Sequence, residues 1–283
     1  MAVSSARVIR RHVSNGAFVV FCVAVTTLAL AALAAILWSL VSQGLAGLNL
    51  DVFTRSTPAP GSRGGLLNAI VGSMMLCAIG MAIALLVGVL AGTWLAEYAR
   101  DSRFGSLVRF MNDVLLSAPS ILIGLFVWEL LVFPFHSFSA IAGGVALAIL
   151  AVPVITRTTE DVLRLQPTSL RESGIALGAP FWRVIRQILW RASGSGILTG
   201  ALLAFARISG ETAPLLFTAL NNQFFSLDPR EPISSLPVVI FQFALSPYDD
   251  WRRLAWAGAL IVAASVLAIT IAARAISPEQ KRS

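Results

Sequence analysis

Apolar residues gather into long runs separated by short polar segments, and six of these runs reach the roughly 20 residues that a membrane-spanning helix needs. They cover residues 17–41, 66–96, 111–133, 138–156, 195–219 and 254–276. The pattern predicts an all-α, polytopic membrane protein with six transmembrane helices. Arg7, Arg10 and Arg11 precede the first run, which is rich in alanine like a secretory signal. Its apolar stretch is longer than the about 7–15 residues of a signal's hydrophobic core. The first run is therefore read as a retained anchor.

Composition supports the bilayer as the solvent. Of 283 residues, 57% are hydrophobic and 12% charged, with a mean hydropathy of +0.82; soluble domains carry about 25% charged residues. The net charge of +7 invites a nucleic-acid reading, but the placement of the basic residues argues against one. With the N-terminus inside, fifteen Arg and Lys residues fall in inside segments, counting Arg274 at the inner end of the last run, and five in outside segments, which leaves Arg207 alone deep within a run. By the positive-inside rule both termini are cytoplasmic, and nucleic acid is not needed as a partner. Cys22 and Cys77 lie in apolar runs and read as small core residues.

Small residues recur every fourth position at Gly80, Ala84, Gly88 and Gly92, and again at Gly196, Gly200 and Ala204. Such stripes let helices approach closely in lipid, and packing within this chain is the plainer explanation. The sequence shows no convincing internal repeat.

The 38-residue segment 157–194 is long for a connection between membrane helices. It contains "LRESGIALGAPFWRVIRQILWRAS". Helix formers run up to Leu177, then Gly178 offers a left-handed helix stop and Pro180 suits the start of a new helix. This predicts a helix–turn–helix elbow with Phe181 and Trp182 near its tip. Two readings stay open: a docking surface built on exposed aromatics, or an interfacial helix with Arg183, Arg186 and Arg191 toward anionic lipid.

The fifth run contains two charges, Arg207 and Glu211, four positions apart. At about 1.5 Å per residue, Arg207 sits roughly 18 Å into a helix that begins near residue 195, and a charge at that depth is expensive. On a continuous helix Glu211 lies one turn on, on the same face. Gly210 and Pro214 loosen the backbone there. In one reading the pair neutralises itself and fastens the bundle. In the other, Arg207 lines an anion route, because guanidinium matches phosphate geometry bidentately. Asp113, Glu129, His12 and His136 suggest no role.

The segment from Glu172 to Gly178 resembles the EAA loop of binding-protein-dependent ABC importer permeases, although Ser173 and Gly174 replace the two alanines and Arg191 stands at the later proline position. The blocks "MNDVLLSAPSILIGLFV", "ARISGETAPLLFTALNNQFFS", "LPVVIFQFALSP" and "LAWAGALI" are similar to phosphate importer permeases of the PstA type. The likeness extends from about residue 66 to 276. It implies the type I ABC importer transmembrane fold over 66–276, with 1–65 as the N-terminus, first helix and outer loop, and 277–283 as a cytoplasmic tail. It implies an inner-membrane subunit that moves inorganic phosphate with a second permease of the PstC type, two PstB-type ATPase copies and a periplasmic PstS-type binding protein. The elbow would dock into the ATPase through Glu172, turning at Gly178, with Phe181 and Trp182 at the contact. The shared Arg-x-x-Gly-Glu-Thr segment implies a substrate pathway through Arg207, Glu211 and Thr212.

No cofactor is expected in this chain. Its one lysine, Lys281, stands in "EQKRS" and not in a Walker A loop, so ATP would be used by a partner. The rivals are an ABC permease for another anion and a proton-coupled carrier. A carrier is expected to show repeated halves with interrupted helices, which the sequence does not display. A membrane enzyme or metal site would want clustered His, Cys or carboxylates, and these are scattered.

Overall fold

A computed structural model describes residues 5–276, and every regular element among them is helical. In chain order these are α1 (Ser5–Gly47), α2 (Leu50–Thr54), α3 (Leu67–Glu97), α4 (Arg103–Ser117), α5 (Ser120–Val127), α6 (Ala140–Arg164), α7 (Thr168–Ala176), α8 (Phe181–Val184), α9 (Trp190–Ala192), α10 (Gly194–Ile208), α11 (Ala213–Thr218), α12 (Leu236–Ala244) and α13 (Asp249–Ile276). Single π-helical turns, Trp128–Val132 and Ile185–Leu189, extend α5 and join α8 to α9. The expected tail 277–283, with Lys281 and Arg282, lies outside the described residues.

Four helices (α1, α3, α6 and α13) are long and apolar enough to cross a membrane unbroken, and two bent pairs bring the number of possible spans to six. The third run is not one rod. It breaks at Ala118–Pro119, where α4 and α5 meet at 104°. Proline disfavours helical geometry in the residue before it, and Ala118 is extended at φ −66°, ψ 135°. The second bend, 72°, separates Phe181–Ala192 from α10. The expectation of uninterrupted spans is thus corrected. A further helix, α12, fills part of what the sequence suggests is an outer loop. Its Leu236 N–H donates to the Ser73 hydroxyl at 2.8 Å, and Val238 and Val239 are buried.

The small-residue stripes decide the centre. An added Cβ at Gly88 would lie 2.8 Å from Ile155 Cβ, and at Gly92 2.5 Å from the Thr156 carbonyl. Larger residues would push α3 and α6 apart. Gly196 does the same for α10, where a Cβ would meet Val162 Cγ1 at 2.6 Å. In lipid, where the hydrophobic effect between helices vanishes, this close packing is what holds helices together.

At the far end from the elbow, Val52, Leu66, Leu236 and Phe243 form a second cluster, and Phe243 stacks on Trp251 with ring centroids 4.4 Å apart. There the buried Asn68 amide donates to the Thr57 hydroxyl and the Asn222 carbonyl, both at 2.9 Å. α1 packs on α13 through Gly44 and Gly47 and is otherwise exposed.

Candidate functional site

The fifth run ends its first helix earlier than its apolar pattern suggests. Ser209 turns its hydroxyl back onto the Phe205 carbonyl at 2.6 Å, α10 stops at Ile208, and residues 209–212 are turn and coil. Pro214 then opens α11. This corrects the expectation that Arg207 and Glu211 share one continuous helix. Arg207 occupies the last turn of α10 and is exposed, whereas Glu211 and Thr212 lie in the break and are half-buried. The ion pairs within 4.0 Å among the described residues do not include either charge.

The break is nonetheless held firmly on its far side. A Cβ at Gly124 of α5 would stand 2.6 Å from Pro214 Cα, so α11 lies directly against α5. The Thr212 carbonyl accepts from the Leu215 and Leu216 N–H groups at 3.2 Å each, starting α11 without a side-chain cap. Gly210, by contrast, has nothing within 4 Å of an added Cβ. A charged helix end, a sterically unhindered glycine and a half-buried carboxylate therefore sit together beside the α5–α11 contact.

The elbow forms as its sequence predicts. Gly178 adopts φ +78°, its N–H bonding the Ile175 carbonyl at 2.8 Å while the Ala179 N–H bonds Gly174 at 3.3 Å. That pair of bonds is the Schellman motif, and it reverses the chain between α7 and α8. The expected segment 157–194 opens with the last two turns of α6, which runs to Arg164.

Gly174 also has a packing reason: a Cβ there would approach Val184 Cγ2 at 2.8 Å, so the two arms of the elbow touch at this point. Glu172 and Gly178 are exposed. So are Leu177 at 87% and Trp182 at 54%, with the Arg183 guanidinium 5.4 Å from the Trp182 ring centroid. Phe181 differs from the expectation of an exposed contact. It is half-buried, edge-on to Tyr98 at 5.4 Å, and packs with Leu163, Ile185 and Leu189. It anchors the elbow to the bundle.

A family model described as "binding-protein-dependent transport system inner membrane component" matches residues 85–282. The chain is 55% identical over 246 residues to the phosphate transport system permease protein PstA of Haemophilus influenzae, covering 87% of each protein. It is 31% identical over 274 residues to phosphate transport system permease protein PstA 1 of Mycobacterium tuberculosis, covering 95% of this chain and 89% of that one. The chain belongs to this family of PstA-type transport permeases. It is a multi-pass inner-membrane protein.

Among solved structures, the MetNI methionine ABC transporter in an inward-facing conformation matches with a TM-score of 0.61 at 18% identity, covering 74% of this chain and 94% of that one. That likeness gives the fold, the transmembrane architecture of a type I ABC importer. Family membership now carries the weight against a secondary carrier, since interrupted helices do occur here.

Two buried ion clusters in the permease escape sequence reasoning, both at the elbow end of the bundle. Glu160 of α6 is 2% exposed and receives Arg109 Nε and Arg164 Nη2, each at 2.7 Å. Arg109 also donates to the Leu95 and Ala99 carbonyls at 3.0 Å, tying α4 to α3 and α6. Glu97, the last residue of α3, accepts a two-pronged contact from Arg171 of α7, Nε at 2.8 Å and Nη2 at 2.6 Å. These hydrogen bonds raise the Arg171 pKa above its ordinary value against the opposing pull of burial. The available signal was a carboxylate at the end of an apolar run, which must be paired if buried. The sequence does not say which of many nearby arginines pairs with it.

Proposed function

We propose that this permease conducts inorganic phosphate inward across the cytoplasmic membrane as one subunit of an ATP-driven importer. The observation that carries the reading is Arg207, an exposed guanidinium at the end of a membrane helix, in a chain whose relatives are phosphate permeases. Hydrocarbon is a costly neighbour for such a group. It needs protein or water beside it, which a second permease of the PstC type would supply by closing a polar route along this face. Phosphate passing there meets a fork of N–H donors matched to its oxygens. Glu211 and Thr212, at the loosened backbone, adjoin that route, and the carboxylate opposes overly tight retention of the anion.

In this reading, segment 66–276 is the conducting domain, both termini and the elbow are cytoplasmic, and the elbow docks into one of the importer's two PstB-type ATPase subunits through Glu172 and the Trp182 face. A PstS-type binding protein delivers phosphate from the other side. Single cysteines at positions 175 and 245 of a Cys-free permease should react from opposite sides of the membrane. Reaction of both with an impermeant outside reagent would refute the orientation.

The pathway is tested by radiolabelled phosphate uptake and complex yield in Arg207→Gln, Glu211→Gln and the double variant. The expected result is an assembled but inactive complex for Arg207→Gln and for the double variant. A double variant that regains wild-type uptake would reduce the two charges to a fastening. Uptake of another oxyanion in preference to phosphate by the intact importer would move the substrate assignment.

A further inference from the structure

We infer that Glu97 and Arg171 form the strut through which movement of the elbow reaches the membrane helices, so that these two are positioning residues for transport. The inference rests on the elbow being the ATPase dock. All five N–H donors of Arg171 have acceptor directions filled: Nε and Nη2 hold the two oxygens of Glu97, Nη2 also reaches the Leu163 carbonyl at 2.8 Å, and Nη1 bonds the Gln166 and Pro167 carbonyls at 2.9 and 3.5 Å. One side chain on α7 thereby joins the end of α3, the end of α6 and the turn that leads into α7. The Glu97 and Arg171 side chains are 2% and 15% exposed, so water does not loosen the joint.

Position along α7 gives the joint its meaning. Successive residues on a helix point about 100° apart, and Arg171 is locked inward while its neighbour Glu172 is exposed. The same turn of helix thus grips the bundle with one residue and presents the next to a partner. A displacement applied at Glu172 has a short, stiff path to the end of α3, whose other end packs beside α12 and α13. The Arg109–Glu160–Arg164 cluster makes a useful contrast. It braces α4 against α6 and has no bond to the elbow.

The test separates coupling from stability. Arg171→Lys keeps the charge but replaces a planar fork with a compact ammonium, and Glu97→Gln keeps the shape while removing the charge. The whole importer, with its ATPase, sister permease and binding protein, is reconstituted in proteoliposomes, and phosphate moved per ATP hydrolysed is measured. Arg171→Lys should assemble and hydrolyse ATP within about twofold of wild type while phosphate per ATP falls tenfold or more. Glu97→Gln, which leaves the Arg171 charge unpaired, should lower complex yield and show the same fall in phosphate per ATP in the complex that assembles. Arg109→Lys should leave that ratio unchanged whatever it does to complex yield.

A normal ratio in Arg171→Lys and Glu97→Gln overturns the strut. So does a loss of uptake that merely follows complex yield, which marks a purely structural pair. Gly178→Val distinguishes failure of the underlying dock: if it retains its ATPase and transports normally, the elbow reading falls and the strut with it. If it sheds the ATPase while Arg171→Lys couples normally, the strut alone is lost.

Discussion

Two arginines in this chain live under opposite terms. Arg171 is enclosed, its donors spent on a carboxylate and three carbonyls of the same chain. Arg207, toward the middle of the apolar run that also carries Glu211, forms no ion pair among the described residues and stands exposed at a helix end. A fully bonded guanidinium defines geometry and is not available to a ligand. One without an ion-pair partner among the described residues, held where lipid is unwelcome, is available to something that arrives. The contrast separates parts of the protein that transmit from parts that receive.

The largest effect should come from the receiving arginine. Losing two charge-assisted contacts of about 1.5–3 kcal/mol each predicts that Arg207→Gln lowers phosphate uptake about 100-fold or more. The unfolding stability of the solubilised complex should change by less than about 0.5 kcal/mol, as for an exposed substitution. A large loss of stability in this variant would erase the contrast.

The mirror image is expected at Arg171. Arg171→Met strands Glu97 without a counter-charge, a change that costs about 3–5 kcal/mol in buried pairs, read as loss of complex yield and melting temperature. Adding Glu97→Leu should recover much of that stability but not transport. Next in size is Gly178→Val, in which a β-branched residue must adopt φ +78°; strain of about 1–3 kcal/mol should appear as loss of retained ATPase in copurification. The smallest effect is Thr93→Val, which removes the acceptor for Trp190 Nε1 at 3.0 Å. About 1 kcal/mol of stability should go, with uptake intact; a transport defect there would widen the strut beyond the Glu97–Arg171 joint.

Much of the fold is legible from sequence because lipid solvation makes hydrophobic run length a direct readout of spanning helices. The runs at 66–96 and 254–276 match α3 and α13 closely, and Gly178 announced the turn it makes. What stayed hidden depends on the third dimension. Pro119 and Pro214 were visible, yet a run count cannot tell a kinked helix from two helices at 104°. Glu211 left the face of Arg207 because Ser209 and Gly210 end α10 before it. Phe181 has the composition of a contact residue, but Tyr98 from a distant helix covers it. Arg171 lies 74 positions from Glu97, and Arg109 lies 51 from Glu160, separations that no local pattern encodes; Arg164, one turn from Glu160, is the one partner that spacing could have suggested.

The packing of α1 has a consequence for how the protein is made. The helix meets its partner α13 only after about 200 further residues have been synthesised, an interval on the order of 10–40 s at about 5–20 residues per second. Throughout that time the first helix must survive in the bilayer alone. Between His12 and Asp51 it carries no ionisable side chain except Cys22, so it needs no neighbour to be soluble in lipid. α6, by contrast, carries the buried acid Glu160, but the guanidinium of Arg109 has already left the ribosome before that acid appears. The order of the chain thus delivers the self-sufficient helix first and the buried carboxylate of α6 after one of its counter-charges.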